Sequence, residues 1–164
     1  MGNYTAPLLN FPLSGTLRTA GALWAQGTAA TLRRIQVYEL EFGQTGALSS
    51  TDCQVQWDVS RFGATAGLTA SAIVPQQLDI ADTSPMAQFA NASTGTGENT
   101  YTSAGFGLAL KQWSINQRGS YRWRALDDGD NIVIPATTVT GIGVRALSSN
   151  FTSTGFGNIS FIER

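Results

Sequence analysis

The sequence predicts an all-β fold: an antiparallel β-sandwich, jelly-roll-like, with about eight strands and one short helix. Val55, Trp57 and Val59 alternate with Gln54, Gln56, Asp58 and Ser60, the period-2 signature of a strand with one buried face. Short apolar-alternating runs of this kind recur along the chain between Gly-, Asn-, Asp- and Pro-bearing turn segments, and only one stretch carries helix-start chemistry. The length of 164 residues suits one domain burying roughly 70% of the surface of its unfolded chain, a core large enough to need no metal or disulfide.

Residues 1–13 read as an extended N-terminal segment and residues 14–164 as a single sandwich domain. In MGNYTAPLLNFPL, Leu8, Leu9, Phe11 and Leu13 lie around two prolines that impose extended geometry, with no helical spacing. Such a segment packs across the edge of its own sheet or reaches as an arm onto a neighbouring subunit. Between Ser14 and Thr31 the large apolar residues are few, and short strands are expected near Thr16–Thr19 and Leu23–Ala25.

Arg33–Phe62 is the organising stretch, two strand-like runs, RRIQVYELEF and CQVQWDVSRF, joined by a turn-rich segment. In the first run Ile35 and Val37 share one phase while Tyr38, Leu40 and Phe42 share the other. Either a β-bulge sits near Val37–Tyr38 or both faces are covered. Downstream, Pro75 in IVPQQLDI suggests an edge strand. Ser84 as N-cap and Pro85 at the first helical position predict a single-turn helix ended by Asn91.

The segment from Asn91 to Ser103 is a polar, glycine-bearing loop, the kind of element that carries binding function. Leu108–Ile115 alternates with a phase slip before Trp113. Tyr121, Trp123 and Ala125 alternate with Arg122 and Arg124, a strand with an aromatic face and a cationic face. The apolar run Ile132–Pro135, then Val139–Leu147 and Asn158–Ile162, supply the remaining strands. YTSAGFG at Tyr101–Gly107 and FTSTGFG at Phe151–Gly157 form a near-repeat, with Gly expected to reach φ > 0 around a buried Phe.

The chain has no histidine, which removes Ser-His-Asp triads, Cys-His dyads and imidazole metal sites together. Its single cysteine, Cys53, has no disulfide partner within the chain and belongs to no metal cluster, so it is expected to be a small packed thiol. Glu39 and Glu41 share a strand face and Asp58 lies on the next strand, a geometry a glycosidase could use; a solvated or inter-subunit face opposite Arg33, Arg34 or Arg61 explains the same residues and is preferred. Asp127-Asp-Gly-Asp-Asn131 has oxygen density for calcium without the loop spacing, and a turn closed by Asx hydrogen bonds is the preferred reading. Trp57, Trp113, Trp123, Tyr101 and Tyr121 are read as packing residues in preference to a sugar platform. No catalytic residue, cofactor or metal site is therefore expected.

Charged residues are 13%, well under the roughly 25% of ordinary soluble domains, and the net charge is −1. Nucleic acid is not an expected partner. Nine of the ten basic residues are Arg, a bias that leans toward protein partners, although codon bias produces it too. No basic n-region with an apolar run opens the chain and no span of about 18 apolar residues occurs, so neither Sec export by this route nor a membrane span is expected. The sequons at Asn3, Asn91, Asn150 and Asn158 are read as by-products of composition.

Taken together, RRIQVYELEFGQTGALSSTDCQVQWDVSRF, NQRGSYRWRA and FGNISFIER resemble small capsid decoration (cement) proteins of tailed bacteriophages, cyanophage-type heads among them. The resemblance covers most of Leu32–Arg164 in run and order. It implies a β-rich homotrimer on the outer capsid surface of the virion that ties major capsid protein subunits together. On that reading Leu8, Leu9, Phe11, Leu13, Arg33 and Arg34 are the expected subunit or capsid contacts. The alternative from another class is a phage tail or baseplate adhesin whose sandwich binds host glycan through the Asn91–Tyr101 loop.

Overall fold

The computed structural model describes residues 2–26, 28, 30–63, 71–91, 101, 109–138, 140–148 and 150–164. Alternation of buried and exposed positions dominates these residues, and they form twelve strands. These are β1 (Gly2–Leu13), β2 (Arg18–Ala25), β3 (Ile35–Gln44), β4 (Gln54–Phe62), β5 (Ser71–Ile73), β6 (Gln76–Gln77), β7 (Ala87–Asn91), β8 (Ala109–Asn116), β9 (Tyr121–Arg124), β10 (Ile132–Ile134), β11 (Gly141–Ser148) and β12 (Ser153–Glu163). Two antiparallel six-stranded sheets pack face to face as a β-sandwich. The first runs β10-β3-β12-β1-β6, with β9 pairing the remaining length of β3; the second runs β5-β7-β2-β11-β4-β8. The strands beyond the expected eight come from β1 and β7, read from the sequence as an extended segment and a helix, and from the expected edge strand around Pro75, which forms two short pieces, β5 and β6.

The organising stretch does not form a hairpin. Its two runs, β3 and β4, belong to different sheets and face each other through the core, where the Phe42 and Trp57 rings stack with centroids 4.6 Å apart. Val55, Trp57 and Val59 are buried as the alternation requires, and Cys53 packs as a buried thiol. The phase break in β3 is a bulge: Glu39 pairs with Ser160 and Val37 with Phe161, leaving Tyr38 as the extra residue. Ile35 and Val37 before it, and Leu40 and Phe42 after it, then all point into the core. The phase slip in β8 has the same origin. Ser60 pairs with Ala109 and Val59 with Lys111, so Leu110 bulges outward.

Three expectations are corrected. The helix at residues 84–91 is absent: β7 pairs with β2 and β5, and the Met86 and Ala87 N–H groups donate to the Glu163 carboxylate at 2.8 and 2.6 Å, so tertiary partners take the donors a helix start would have capped. The N-terminal segment takes the first of its two readings, packing on its own sheet as β1, paired along its length with β12 and briefly with β6, and what is corrected is the contact role expected of its apolar residues. Leu8, Phe11 and Leu13 are buried inside the sandwich and offer no surface to a second chain; only Leu9 is exposed, lifted out by the β1 bulge, where Asn10 has φ of 43°. The Asn91 side chain clamps that bulge by accepting from Leu9 N–H at 3.1 Å and donating to Leu9 C=O at 2.6 Å. In the second copy of the near-repeat the glycines serve close approach rather than positive φ. A Cβ on Gly155 would strike the Phe11 ring and one on Gly157 the Glu41 carbonyl, while Phe156 is only half-buried and lies over Gly43. Of the first copy, only Tyr101 lies within the described residues.

Glu163 is the main polar tie between the strand ends. Its buried carboxylate accepts from two backbone N–H groups and lies 3.5 Å from Arg33 Nη1. Hydrogen bonds to an ionised group contribute about 1.5–3 kcal/mol each. Glu163→Ala is therefore expected to destabilise by about 3 kcal/mol and Glu163→Gln, which keeps one acceptor, by about half that, as read from urea unfolding midpoints at constant m-value.

Candidate functional site

The outward face of the first sheet is an open polar ladder. In β3 the bulge at Tyr38 sets Glu39 and Glu41 on the solvent side, and in β9, which pairs Glu39 with Arg124 and Glu41 with Arg122, the alternation puts both arginines on that same side. Arg122 Nη2 donates to Glu39 Oε2 at 2.6 Å, with Arg124 Nε 4.0 Å away. The hydrogen bond to Glu39, then the attraction of its charge, raises the Arg122 guanidinium above its ordinary value. Burial, then the Glu39 carboxylate, holds the Tyr38 phenol above its usual value. The other phase of β9 is aromatic, as predicted: Trp123 packs on the core under Lys111 Nζ, and Tyr121 meets Trp113 at 5.4 Å.

Beside the ladder, a groove of about 610 Å³ runs between the turn after β6 and the turn after β9. Tyr38, Ile162 and Arg124 line its floor and flank; Leu78, Asp79, Leu126 and Asp127 line its rims. Its rims carry large apolar side chains that the described residues do not cover: Leu78 is 57% exposed and Leu126 93%, and Ile80, next to Asp79, is 96% exposed. The Asp-rich run is the Asx-closed turn expected of it. Asp127 Oδ1 accepts from Gly129 N–H at 2.7 Å and Asp130 N–H at 3.2 Å, while Asp128 pairs with Arg164 at 3.1 Å.

The second sheet carries its own outward cluster. Arg145 on β11 makes a two-pronged pair with Asp58 on β4, Nε to Oδ1 at 2.8 Å and Nη2 to Oδ2 at 2.7 Å, and Nη2 also donates to Ser60 Oγ at 2.9 Å. The Tyr101 ring lies over this guanidinium at 4.4 Å and its hydroxyl meets Thr19 Oγ1 at 2.7 Å. Tyr101 sits on Gly143, where a Cβ would overlap its hydroxyl; glycine is what lets the ring down onto the sheet. Asp58 is thus on the opposite side of the sandwich from Glu39 and Glu41, so the structure does not bring these three carboxylates together.

Of the residues expected at contacts, Arg33 is tied to Glu163 and Thr83, Arg34 is exposed with its backbone paired to Arg164, and Leu9 is exposed. The two pairs of opposite charge on the ladder were legible as types, but the partners of Glu39 are Arg122 and Arg124, not Arg33, Arg34 or Arg61. Arg61 instead crosses the end of the sandwich to donate to the Val133 carbonyl at 2.8 Å. Residues 92–100 of the candidate glycan loop lie outside the described residues. The sequon at Asn91 is occupied by its clamp on Leu9. Among the described residues no three Cys, Asp or Glu side chains converge as a metal site, and no helix is long and apolar enough to cross a membrane. The chain matches no protein-family model, and a search of curated proteins finds no relative.

Proposed function

We propose that this chain is a structural virion protein that decorates a phage capsid and stabilises it by bridging major capsid protein subunits. The observation that carries the reading is the clustering of three of the four most exposed aliphatic side chains among the described residues: Leu78 and Leu126 line the groove, and Ile80 stands in the same turn as Leu78. Protein interfaces use this composition, an apolar centre with an Arg-bearing polar rim, and Arg122 and Arg124 stand beside it largely exposed. A rigid double-sheet body supports the reading, because a clamp resists capsid expansion only if it does not itself deform. Each copy adds interface free energy across a capsomer junction, and trimerisation multiplies it through effective concentration. The sequence resemblance to phage cement proteins supports the same class.

Purified protein mixed with emptied, expanded phage heads that lack decoration is expected to co-sediment with them to saturation, and to sediment alone as a trimer in analytical ultracentrifugation. No binding to heads together with a specific hit on a glycan array would replace this function with the adhesin reading. A monomer at every concentration would remove the trimer.

A further inference from the structure

We infer that the groove between the turns at residues 78–82 and 126–131 is the docking site for an extended segment of a partner protein that alternates aliphatic with basic side chains. The inference rests on the bridging reading only for which protein supplies that segment. Two properties of the groove define the occupant. The apolar one is Leu78 and Leu126 in the groove lining, with Ile80 exposed two residues from Leu78 in the same turn; aliphatic side chains projecting from one face of an extended strand would cover them.

The second property is charge. Five of the chain's eleven acidic residues, Asp79, Asp82, Asp127, Asp128 and Asp130, fall in these two turns. Asp79, Asp82 and Asp127 are held by backbone N–H groups, from Ala81 at 2.9 Å, Asn3 at 3.0 Å and Gly129 at 2.7 Å. Those bonds aim the carboxylates without neutralising them. Arg164 answers Asp128, and Arg124, the cation lining the groove, leans toward Glu39. The rim therefore carries an excess of negative charge beside exposed aliphatic carbon, and its complement is Lys or Arg interleaved with Leu, Ile or Val. A second copy of this chain is a poor supplier: Arg61 and Arg145 are held inside the fold, Lys111 lies over Trp123, Arg33 and Arg122 pair with the chain's own carboxylates, and Arg18 and Arg34 stand at the starts of paired strands, so the chain offers no unpaired run of alternating aliphatic and basic side chains among the described residues.

The test uses the full chain, ¹⁵N-labelled, and three capped nonapeptides of equal length: alternating Leu and Lys, alternating Leu and Glu, and alternating Ser and Lys. The Leu–Lys peptide is expected to bind about tenfold or more tightly than either control, to shift the amide resonances of residues 78–82 and 125–131, and to weaken as salt rises. Ile80→Ser with Leu126→Ser removes side chains that touch solvent and leaves the fold intact. Asp79→Asn with Asp127→Asn keeps the turn acceptors and removes charge. Each pair is expected to weaken the Leu–Lys peptide several-fold. Equal affinity for the Leu–Glu peptide, no binding, or shifts elsewhere on the sandwich would overturn the docking site. Wild-type chain that decorates heads while both variant pairs decorate them equally well would overturn the groove and leave the decoration reading standing; Leu–Lys binding at the groove without any binding to heads would do the reverse.

Discussion

Replacing Trp57 with alanine is expected to destabilise the fold by about 3–5 kcal/mol, the largest loss from any single core truncation here. Trp57 is fully buried at the centre of the contact between the sheets. Its indole stacks on Phe42 of the opposite sheet at 4.6 Å with the planes 14° apart, and Phe11 meets its edge at 5.3 Å and 85°. Three strands, β1, β3 and β4, therefore converge on one ring. The cavity left by truncation would be bounded by sheets whose separation their ladders fix, so it cannot collapse easily. A melting-temperature drop of about 10–15 °C follows for a chain of this size. Trp113→Ala, at a half-buried ring 5.5 Å from Phe42, provides the internal comparison and is expected to cost less than half as much. Urea unfolding of the two variants checks both values; equal losses would mean that the stack is not the centre of the core.

The period-2 signal made this core legible. Val55, Trp57 and Val59 read directly as one face, and the break in β3 narrowed the choice to a bulge near Val37–Tyr38 or two covered faces; the bulge forms, because an extra residue is the cheapest way for a strand to change phase while keeping both halves of its apolar set inside. The slip at Leu110 was legible for the same reason. β1 was not read as a strand because its bulge at Leu9–Asn10 splits Tyr4, Ala6 and Leu8 from Phe11 and Leu13, and its prolines argue locally against a ladder. Among the described residues β1 has a second neighbour only at Tyr4 and Thr5, and a strand paired on one side tolerates proline. The false helix at Ser84–Asn91 had a sound local start signal. What overrode it, the Glu163 carboxylate, lies 76 residues away from Ala87 in the chain and leaves no local trace.

The candidate site was only partly legible. The cationic face of β9 and the shared face of Glu39 and Glu41 follow from alternation, but their pairing is a matter of which strands become neighbours, information that is non-local. Leu78, Ile80 and Leu126 escaped notice because an aliphatic residue has the same appearance in a sequence whether it fills a core or stands in solvent. Only their placement in turns after β6 and β9 separates the two cases. Leu8, Phe11 and Leu13 are the converse case: their apolar character fitted an arm or packing on the chain's own sheet alike, and they fill the sandwich.

Breaking the Asp58–Arg145 pair from either side is expected to cost about 3–5 kcal/mol, because each single substitution strands a charge in a site closed to water. Asp58 is almost wholly buried and Arg145 mostly so; the pair makes two parallel N–H···O bonds, Ser60 bridges both partners, and Tyr101 covers the guanidinium. Asp58→Leu leaves Arg145 with the Ser60 hydroxyl and the Tyr101 ring but no anion. Arg145→Met leaves the Asp58 carboxylate with the Ser60 hydroxyl but no cation, and takes the charge from under Tyr101. The double variant removes both charges while keeping apolar volume beneath the ring, so it is expected to recover most of the loss and to lie within about 1–2 kcal/mol of the parent. A double-mutant cycle from denaturant unfolding then yields a coupling of several kcal/mol. Additive losses would instead mean that the position tolerates each charge alone through water. Recovery in the double variant would assign the network a specifying role: it fixes the register of β4 against β11 and the seat of Tyr101 on Gly143.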